Sequence, residues 1–587
     1  MKNHRTVPFL LTLPLLLLSS CSFSFNTVSR TEERTFTFTN YVGAKEGEEI
    51  TSRKTRSMSL RVHNDAEEVA YVTLKDYNEL LTPFYREGVS ASFSGDNLWK
   101  LSNANGQVSF ICEVKSDCLE YAGSLYGLMK ANEDRYPGNT LYYHTQLSQK
   151  FIAGKSNPTT RSLNYLKHYS PEVVSGSVYL PLGVLDAEFY SDIGFSHLYA
   201  YSRGFYEVED AAKINQKCLD DGVETTLSKI LYNEIKGQGF NGMPKRVGLY
   251  DYDVLAYTFK NCYGLKYALG IDQFSTFFDS LRLDEAYSSG DNATRLNKLG
   301  RLLSLLNDGH TGPRSICGWW GEKVEDLGDY RGKMWNERIN LRTQLISARQ
   351  SAMFALDKDP HGTLYSTDGK TALIPFDGFT FATDAFDADR ELLPKVYEHD
   401  NDTFYFLLRS IGEAISSGAK DVILDLSCNG GGAVAVLAKL LALISPDNHG
   451  LIHTYQTDCG YITELDARVD TNNDSVYDED DTFYGKASFY LLCSPYSFSC
   501  GNAMPFYARH AGYAKVIGTS SGGGECTVGT AALPSGMVLG FSSPARIGIY
   551  DAENSLFYGD EAGSGVDIPV DFASYTNLDS LSDAIKA

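Results

Sequence analysis

The segment that most constrains the fold is a short apolar run that ends in three consecutive glycines. It reads Asp421-Val-Ile-Leu-Asp-Leu-Ser-Cys-Asn-Gly-Gly-Gly432 and is followed by the apolar stretch Ala433–Leu440. The apolar run predicts a buried strand, and the stretch after the glycines predicts a packed helix. Glycines let a backbone approach a ligand closely, and the N–H groups at a helix N-terminus favour negative charge. We therefore expect a strand, a turn and a helix that together can cradle an anion.

The kind of anion follows from what this glycine turn lacks. It has no Lys-Ser/Thr pair of a P-loop, and its glycines are not spaced as in the G-x-G-x-x-G of a dinucleotide site. These differences favour an oxyanion, such as one formed during acyl transfer, over a phosphate group.

A second junction between a strand and a helix carries a hydroxyl group. Ala487–Cys493 predicts a buried strand, Ala503–Arg509 predicts a helix, and Ser494-Pro-Tyr-Ser-Phe-Ser-Cys-Gly-Asn502 connects them. Serine at a helix N-terminus commonly caps the free N–H groups. It can also present its Oγ to a substrate while the next backbone N–H points to the same place. Ser499 is therefore a candidate nucleophile, with Cys500 as the less favoured alternative.

A histidine stands at the end of a predicted helix. The segment Leu302-Leu-Ser-Leu-Leu-Asn-Asp-Gly-His-Thr311 is amphipathic up to its Asp-Gly pair, where a helix is expected to stop. His310 then leaves the helix in a defined direction, and histidine can act as a general base near neutral pH. Taken alone, this residue is more typical of a surface or capping histidine. Its functional interpretation depends on the three segments occurring together.

In this order, D-G-H-T, D-L-S-C-N-G-G-G and S-F-S-C-G-N resemble motifs of the tail-specific or C-terminal-processing serine peptidases. The resemblance covers roughly residues 245–575. It continues in Lys515–Gly524, similar to the strand and glycine turn after the nucleophile helix, and in Glu561–Val570, similar to the closing motif of the family. It implies a crotonase-like βαβ core and an enzyme that hydrolyses peptide bonds in peptides or proteins without a required cofactor.

The family uses two catalytic arrangements, and the chain resembles one of them. In the Ser-Lys branch the base is a lysine in the turn after the nucleophile helix. Here Gly524 stands at that place, and Lys515 precedes the turn. The branch similar to the tricorn protease core uses a histidine and a carboxylate instead, and the resemblance assigns these roles to His310 and Glu561.

The resemblance implies a complete set of roles for acyl transfer. Ser499 attacks the carbonyl, His310 removes and returns the proton, and Glu561 fixes the imidazole tautomer and stabilises the imidazolium. The N–H groups of Gly431 and Cys500 form the oxyanion hole, with the two glycines beside Gly431 as one-residue alternatives. A histidine base predicts activity that rises with pH near 7.

Two departures from the family pattern leave alternatives open. Tricorn-like cores place a serine beside the histidine, whereas Thr311 stands there in this chain. The closing motif has its aspartate before its proline, so Glu553 and Asp560 are alternatives to Glu561 as the supporting carboxylate.

The amino terminus predicts the location of the protein. Met1–Arg5 is basic, Val7–Leu18 is apolar, and Leu18-Ser-Ser-Cys21 matches a lipobox. The apolar run is shorter than the roughly 20 residues of a spanning helix, which favours a secretory signal. We expect lipidation of Cys21 and attachment to a membrane of the bacterial cell envelope, facing the periplasm or the surface. An ordinary cleaved signal is the alternative, and no further membrane segment is expected.

Length and charge predict the organisation and exclude one class of partner. A chain of 587 residues is too long for one ordinary domain, and its formal net charge of −22 argues against nucleic acid as a partner. The predicted fold class is multidomain α/β. The predicted segments are a lipoprotein signal at 1–20, a tether at 21–68, a β-rich α+β domain at 69–208, a helical region ending at the catalytic histidine at 209–320, a connecting segment at 321–371 and the crotonase-like peptidase core at 372–587.

An acidic insertion in the predicted core resembles a calcium loop. Asp470–Asp481 has oxygen-bearing side chains at positions 1, 3, 5, 9 and 12 of that pattern, but Ser475 replaces the usual glycine at position 6. The loop is either a structural Ca²⁺ site or a solvated acidic surface. Ten cysteines besides Cys21 are compatible with disulfides in an exported protein.

Two other functional classes are compatible with the same motifs. One is a binding lipoprotein built on an inactive peptidase core, and the other is a crotonase-type acyl-transfer enzyme. The combination of Ser499, His310 and the glycine turn argues against the first. The predicted export argues against the second, because acyl-CoA substrates are cytosolic.

Overall fold

The computed structural model describes residues 30–40, 55–125, 128–129, 145–209, 243–315, 330–380 and 402–587, apart from 83–84, 155–156, 194–195, 202–203, 272, 358, 360 and 473. The predicted signal and Cys21 lie outside these residues, as do 22–29 and 41–54 of the predicted tether, whereas Thr31–Asn40 and Thr55–His63 of that segment form strands. Within them, no helix has both the length and the apolar character needed to cross a bilayer.

The N-terminal part of the chain is rich in β-structure. One seven-stranded sheet has the order β10-β11-β3-β2-β1-β13-β12, and a five-stranded sheet has the order β4-β5-β6-β7-β9. The elements are β1 Thr31–Asn40, β2 Thr55–His63, β3 Ala66–Val72, α1 Leu74–Leu81, β4 Ser90–Ser94, β5 Leu98–Ser102, β6 Val108–Val114, β7 Cys118–Gly123, β8 Thr145–Gly154, β9 Thr159–Ser162, β10 Glu172–Val174, β11 Ser177–Pro181, α2 Leu182–Ile193, β12 Ser196–Tyr201 and β13 Gly204–Glu209.

A group of helices precedes the histidine. These are α3 Lys245–Tyr257, α4 Phe274–Leu281, α5 Leu283–Ser288 and α6 Asn292–Leu306, with a π-helical turn at Thr258–Cys262. Asp291 caps α6 by accepting a hydrogen bond from the N–H of Thr294, and Asn307 ends it with a left-handed φ of 50°. The expected helix stop before the Asp-Gly pair is therefore confirmed.

A long helix, α7 Gly332–Ala355, occupies much of the predicted connecting segment. Its buried side chains include Trp335, Leu345, Arg349 and Met353, whose spacings of 10, 4 and 4 residues place them on one face of the helix. This face packs on the C-terminal part of the chain.

The C-terminal part contains a six-stranded sheet of order β15-β16-β17-β20-β21-β25, in which every pairing except β15 with β16 is parallel. The carboxyl ends of parallel strands meet at one edge, so the turns after β17 and β20 are neighbours. The elements are β14 Gly312–Ser315, β15 Leu364–Tyr365, β16 Thr371–Pro375, α8 Thr403–Ser416, β17 Asp421–Asp425, α9 Val434–Ile444, β18 Gly450–Gln456, β19 Tyr461–Val469, β20 Ser488–Cys493, α10 Cys500–Ala511, β21 Ala514–Gly518, β22 Cys526–Ala532, β23 Val538–Asp551, β24 Leu556–Tyr558, β25 Ile568–Pro569 and α11 Leu578–Lys586.

A further sheet joins distant parts of the sequence. It has the order β14-β23-β18-β19-β8, with β22 and β24 also paired to β23. Strand β8 lies within the predicted N-terminal domain, yet it pairs antiparallel with β19 of the C-terminal part, with Tyr461 opposite Gly154. The molecule is thus a multidomain α/β protein whose N-terminal part contributes a strand to a C-terminal sheet.

The acidic loop is held together by its own backbone. The carboxylate of Asp470 accepts hydrogen bonds from the N–H groups of Asp474 and Ser475, and one oxygen of Asp481 accepts from Thr471 and Asn472. No group of three or more potential metal ligands occurs in the described part of the chain. These contacts do not support the Ca²⁺ interpretation.

All the cysteines in the described ranges are free thiols. They are Cys112, Cys118, Cys262, Cys428, Cys459, Cys493, Cys500 and Cys526.

Candidate active site

Ser499 stands at a sharp turn between β20 and α10. Its φ of 56° and ψ of −125° are unfavourable for a residue with a Cβ and cost on the order of 1–3 kcal/mol. The N–H of Ser499 donates to Gly523 O at 2.9 Å, and its carbonyl accepts from the N–H groups of Asn502 at 2.9 Å and Ala503 at 2.8 Å. The half-buried side chain makes no capping hydrogen bond, so the helix-capping interpretation of this serine is wrong.

The first glycine turn lies directly against this serine. A Cβ on Gly431 would lie 2.6 Å from Ser499 Cβ and 3.0 Å from Cys500 N, so only glycine fits here. The N–H of Gly431 donates to Asn429 Oδ1 at 2.8 Å. The N–H of Cys500 has no hydrogen-bond partner among the described residues. Of the two predicted oxyanion donors, Cys500 is therefore available in this conformation, whereas Gly431 is engaged by a side chain.

A second glycine turn, Gly522–Gly524, supports the nucleophile from the other side. The carbonyl of Gly523 accepts the hydrogen bond from Ser499, and a Cβ at Gly523 would lie only 1.8 Å from Glu561 O. This turn therefore brings the backbone of Glu561 close to that of Ser499. Glu561 itself is half-buried in the loop between β24 and β25.

The turn that carries His310 is organised by Asp308. One oxygen of Asp308 accepts from the His310 N–H at 3.0 Å, and the other accepts from Thr311 Oγ1 at 2.5 Å and from the Tyr263 hydroxyl at 3.0 Å. Thr311 Oγ1 also accepts from the N–H of Ser542 at 3.2 Å. The Thr311 hydroxyl thus fixes the turn and the adjoining strand β23.

The imidazole of His310 is buried beside the nucleophile. The residue is 7% exposed, and its ring centroid lies 4.6 Å from that of Phe498, the residue before Ser499. Neither ring nitrogen has a hydrogen-bond partner within the described ranges, so the ring is bonded to neither Ser499 nor Glu561. Burial lowers the pKa of His310 to about 4, with Asp308 opposing this shift and Arg314 adding to it. The imidazole is therefore neutral, as a general base must be, throughout the neutral pH range.

The pKa of Glu561 is shifted upward, in the direction opposite to that of His310. The pKa of this carboxyl is raised to about 7, chiefly by burial and in part by the negative charges of Glu525 and Asp308, against the opposing charge of Arg546. The N–H of Glu525, which donates to Glu561 Oε2 at 3.0 Å, also favours the ionised form. Glu561 thus exchanges its proton near neutral pH, within the field of the aspartate that positions His310.

The two alternative carboxylates lie in different settings. Glu553 is exposed in the turn between β23 and β24, where its N–H bonds to Asp551. Asp560 accepts a hydrogen bond from Ser564 Oγ at 2.5 Å. Like Glu561, neither is among the charges that perturb the pKa of His310, which are Asp308 and Arg314.

Helix α7 contributes residues that the sequence analysis did not assign to the site. The indole of Trp335 lies 4.5 Å from the Phe498 ring and covers Gly309, where a Cβ would come within 1.9 Å of it. Arg338 lies over that indole and donates to Gly522 O at 2.8 Å. The sequence signal for this face was the recurrence of Trp335, Arg338, Arg342, Leu345 and Arg349, but its apolar character is weak because arginines alternate with apolar residues.

The site brings together components of acyl transfer. A hydroxyl on a strained turn, a free helix N-terminal N–H, a neutral imidazole and a carboxyl with a pKa near 7 lie around two glycine turns. In this conformation the ring of Phe498 contacts the imidazole, and the hydrogen bonds of a Ser-His-Glu relay are not formed.

Comparison with known proteins agrees with this chemistry. A family model described as Peptidase family S41 matches residues 393–545, about a quarter of the chain, and this range includes Ser499 and the first glycine turn. A comparison with curated proteins finds no significant match.

Several solved structures are similar at low identity. A photosystem II D1 C-terminal processing protease is 12% identical with a TM-score of 0.26, covering 36% of this chain and 46% of its own. A putative peptidase from Parabacteroides merdae is 16% identical with a TM-score of 0.34, covering 51% and 82%. A lipoprotein from Streptococcus agalactiae is 13% identical with a TM-score of 0.32, covering 59% and 98%. All three likenesses are remote, and the chain spans less than half of the processing protease.

The family match and the residues of the site point to one class of protein. Residues 393–545 match peptidase family S41, a family of serine-type peptidases, and this matched region carries Ser499 and the first glycine turn.

Proposed function

We propose that this protein is an exported, lipid-anchored serine endopeptidase that hydrolyses peptide bonds at Ser499. The observation that carries the proposal is the match of residues 393–545 to peptidase family S41, because this range contains Ser499 on its strained turn. The same reasoning favours a crotonase-like arrangement of the parallel sheet and its helices. The predicted lipobox at Leu18-Ser-Ser-Cys21 supports the anchored location.

In the proposed mechanism, His310 removes the proton of Ser499 as the hydroxyl attacks the carbonyl carbon of the scissile bond. The same proton then passes to the leaving amine, and a water attacks the acyl-enzyme in the second half of the reaction. Ionised Glu561 stabilises the imidazolium that forms in each half. Since neither ring nitrogen of His310 is bonded here, we infer that substrate binding brings the imidazole and Ser499 into hydrogen-bond reach.

The oxyanion hole is proposed to use the N–H of Cys500 and that of Gly431. The Cys500 donor is free, whereas the Gly431 donor must first leave Asn429 Oδ1. Each such donor is worth about 3–4 kcal/mol of transition-state stabilisation in comparable acyl-transfer sites.

A fluorophosphonate probe tests the proposal, because it reacts with activated serine hydroxyls. We expect labelling of the wild-type protein and none of Ser499→Ala, with the modified peptide containing residue 499. Absence of labelling in a folded sample would contradict the peptidase assignment and favour an inactive binding protein.

The location is tested separately by metabolic labelling with a fatty acid. The full-length chain should incorporate the label and fractionate with membranes, whereas Cys21→Ala should do neither. Release of an unlabelled wild-type protein into the soluble fraction would show that the signal is an ordinary cleaved one.

A further inference from the structure

Arg342 is a cation beside the first glycine turn for which the described residues provide no carboxylate partner. It extends from α7, is half-buried, and forms no ion pair within those ranges. The three fully buried arginines of the described residues each have a carboxylate partner, Arg161 with Glu188, Arg295 with Asp251 and Arg349 with Asp377. Burying a cation without a counter-charge is costly. An arginine kept in this state beside the glycine turn that contacts Ser499 suggests that a substrate provides the missing anion.

The guanidinium is held in a fixed position with donors to spare. Its Nε donates to Cys428 O at 3.3 Å, and its Cζ lies 5.1 Å from the ring centroid of Tyr496. These two contacts use the Nε and one face of the group. The terminal nitrogens, whose paired N–H groups match the geometry of a carboxylate, have no hydrogen bond to the described residues.

Two contacts connect this cation to the glycine turn that lies against Ser499. The Tyr496 hydroxyl lies 3.3 Å from where a Cβ on Gly430 would be, and the next residue, Gly431, contacts Ser499 in the same way. Ser499 and Arg342 are therefore joined by a continuous surface made of one glycine turn and one aromatic ring. A peptide whose scissile carbonyl lies at Ser499, and whose chain runs along this turn, would bring a neighbouring residue toward Arg342.

We propose that Arg342 and Tyr496 form a specificity subsite that binds a carboxylate of the peptide substrate. This inference rests on the proposed peptidase function and adds the class of substrate. The carboxylate comes either from an aspartate or glutamate side chain near the scissile bond or from the free end of the peptide. In both cases the guanidinium binds it through its terminal N–H groups, while Tyr496 holds the plane of the guanidinium.

The test compares matched peptides and matched variants. Fluorogenic peptides that carry glutamate or glutamine at each position around the scissile bond are assayed, each with a free or an amidated C-terminus. The enzymes are the wild type, Arg342→Gln, Arg342→Lys and the control Lys333→Gln. Lys333 lies on the same helix with its side chain 90% exposed, so its removal changes the net charge equally without touching the subsite.

For the wild type we expect kcat/KM to favour the carboxylate peptide by roughly 10- to 100-fold over its neutral partner, as for a charge-assisted hydrogen bond. Arg342→Gln should bring this ratio close to one, mainly through KM. Arg342→Lys should restore part of it, because an ammonium keeps the charge but not the paired donors. Lys333→Gln should keep the wild-type ratio. Dependence on a side-chain position or on C-terminal amidation then identifies the source of the carboxylate.

Two results would overturn the inference on different grounds. The subsite alone is refuted if the wild type reacts with fluorophosphonate but shows no preference for the carboxylate peptide. It is refuted equally if the preference survives in Arg342→Gln. A folded wild type that neither labels nor cleaves any peptide refutes the proposed function and this inference with it. Because the ratio compares two peptides on the same enzyme sample, partial misfolding of a variant does not imitate either result.

Discussion

The ring of Phe498 lies so close to Gly524 that a Cβ on this glycine would come within 2.3 Å of Cε2 of the ring. Gly524 also has a φ of 91°, which side-chain-bearing residues rarely adopt. No lysine can therefore occupy the position that holds the base in the Ser-Lys branch of the family. The nearest lysine in the sequence, Lys515, is exposed on β21. A lysine base is therefore not available at that position, and His310 stays the candidate base.

Lys515→Ala should retain peptidase activity within about twofold of the wild type. The side chain is exposed and has no proton to transfer in the proposed mechanism, and surface substitutions away from a site change little. Steady-state hydrolysis of one fluorogenic peptide by both proteins measures the effect. Complete loss of hydrolysis in Lys515→Ala would reinstate an amine as the base.

Substitutions of Ser499 should separate catalysis from stability. Both Ser499→Ala and Ser499→Gly should lose about 10³-fold or more in kcat, since only binding and oxyanion effects remain. Glycine accepts a φ of 56° without a Cβ penalty, so Ser499→Gly should be about 1 kcal/mol more stable than Ser499→Ala in denaturant unfolding. Equal stability of the two variants would mean that the turn is not strained, and wild-type activity in either would exclude Ser499 as the nucleophile.

The contact between Gly309 and Trp335 predicts a non-additive pair. A methyl group at position 309 would approach the indole to 1.9 Å, so Gly309→Ala must displace either α7 or the His310 turn. We expect a loss of about 1–3 kcal/mol in stability and a fall in activity. In a Trp335→Leu background the smaller side chain leaves room for the methyl group, so the added cost of Gly309→Ala should be lower by at least about 0.5 kcal/mol.

Gly412→Ala is the matched control for this pair. Gly412 lies inside α8, and a Cβ there meets its nearest neighbour, Phe483, at an ordinary 3.7 Å. This variant should be as stable as the wild type or more so, because alanine favours helices. Strictly additive effects of Gly309→Ala and Trp335→Leu in urea unfolding would show that the two residues are not in contact.

Local sequence patterns were sufficient for the elements that present the nucleophile. The strands Asp421–Asp425 and Ser488–Cys493 and the helix Val434–Ile444 occur where the apolar runs predict them. The nucleophile helix begins at Cys500, three residues before the expected start, because the first turn contains glycine and asparagine instead of apolar residues. These elements are specified by near neighbours in sequence, which is why the sequence alone defines them.

The parts of the site that depend on distant contacts were not predictable in this way. Helix α7 has buried arginines among its apolar residues, so its period is weak, and its position over Gly309 depends on residues far along the chain. The pairing of β8 with β19 joins segments about 300 residues apart.

The lowered pKa of His310 follows from burial beneath such elements, and it changes the interpretation of the expected pH profile. With a pKa of about 4, His310 is not the group that titrates near 7.

The rise of activity near pH 7 should instead report the ionisation of Glu561. This carboxyl has a pKa raised to about 7, and only its ionised form stabilises the imidazolium. The wild-type profile of kcat/KM should therefore rise with an apparent pKa near 7. Glu561→Gln should show low activity without this limb. Asp308→Asn should move the limb to lower pH, since it removes a negative charge that raises the pKa of Glu561. A limb near 7 that persists unchanged in Glu561→Gln would assign the titration to another group.

The same carboxyl should lower the stability of the protein at alkaline pH. Its folded-state pKa of about 7 lies above the ordinary value of 4.5, so the folded protein holds one more proton than the unfolded chain between these values. Stability must then fall as pH rises through this window, by about 2 kcal/mol for a partly buried group.

Glu561→Gln removes the effect, so it should raise the free energy of unfolding at pH 8 by that amount and leave it nearly unchanged at pH 4.5. Glu553→Gln, which alters an exposed carboxylate, should change neither value. Urea unfolding at the two pH values measures both variants, and a loss of stability at pH 8 in Glu561→Gln would show that the ionised carboxylate is stabilised by its surroundings. A gain in stability together with a loss of activity would instead identify Glu561 as a group whose burial costs the fold free energy and serves the reaction.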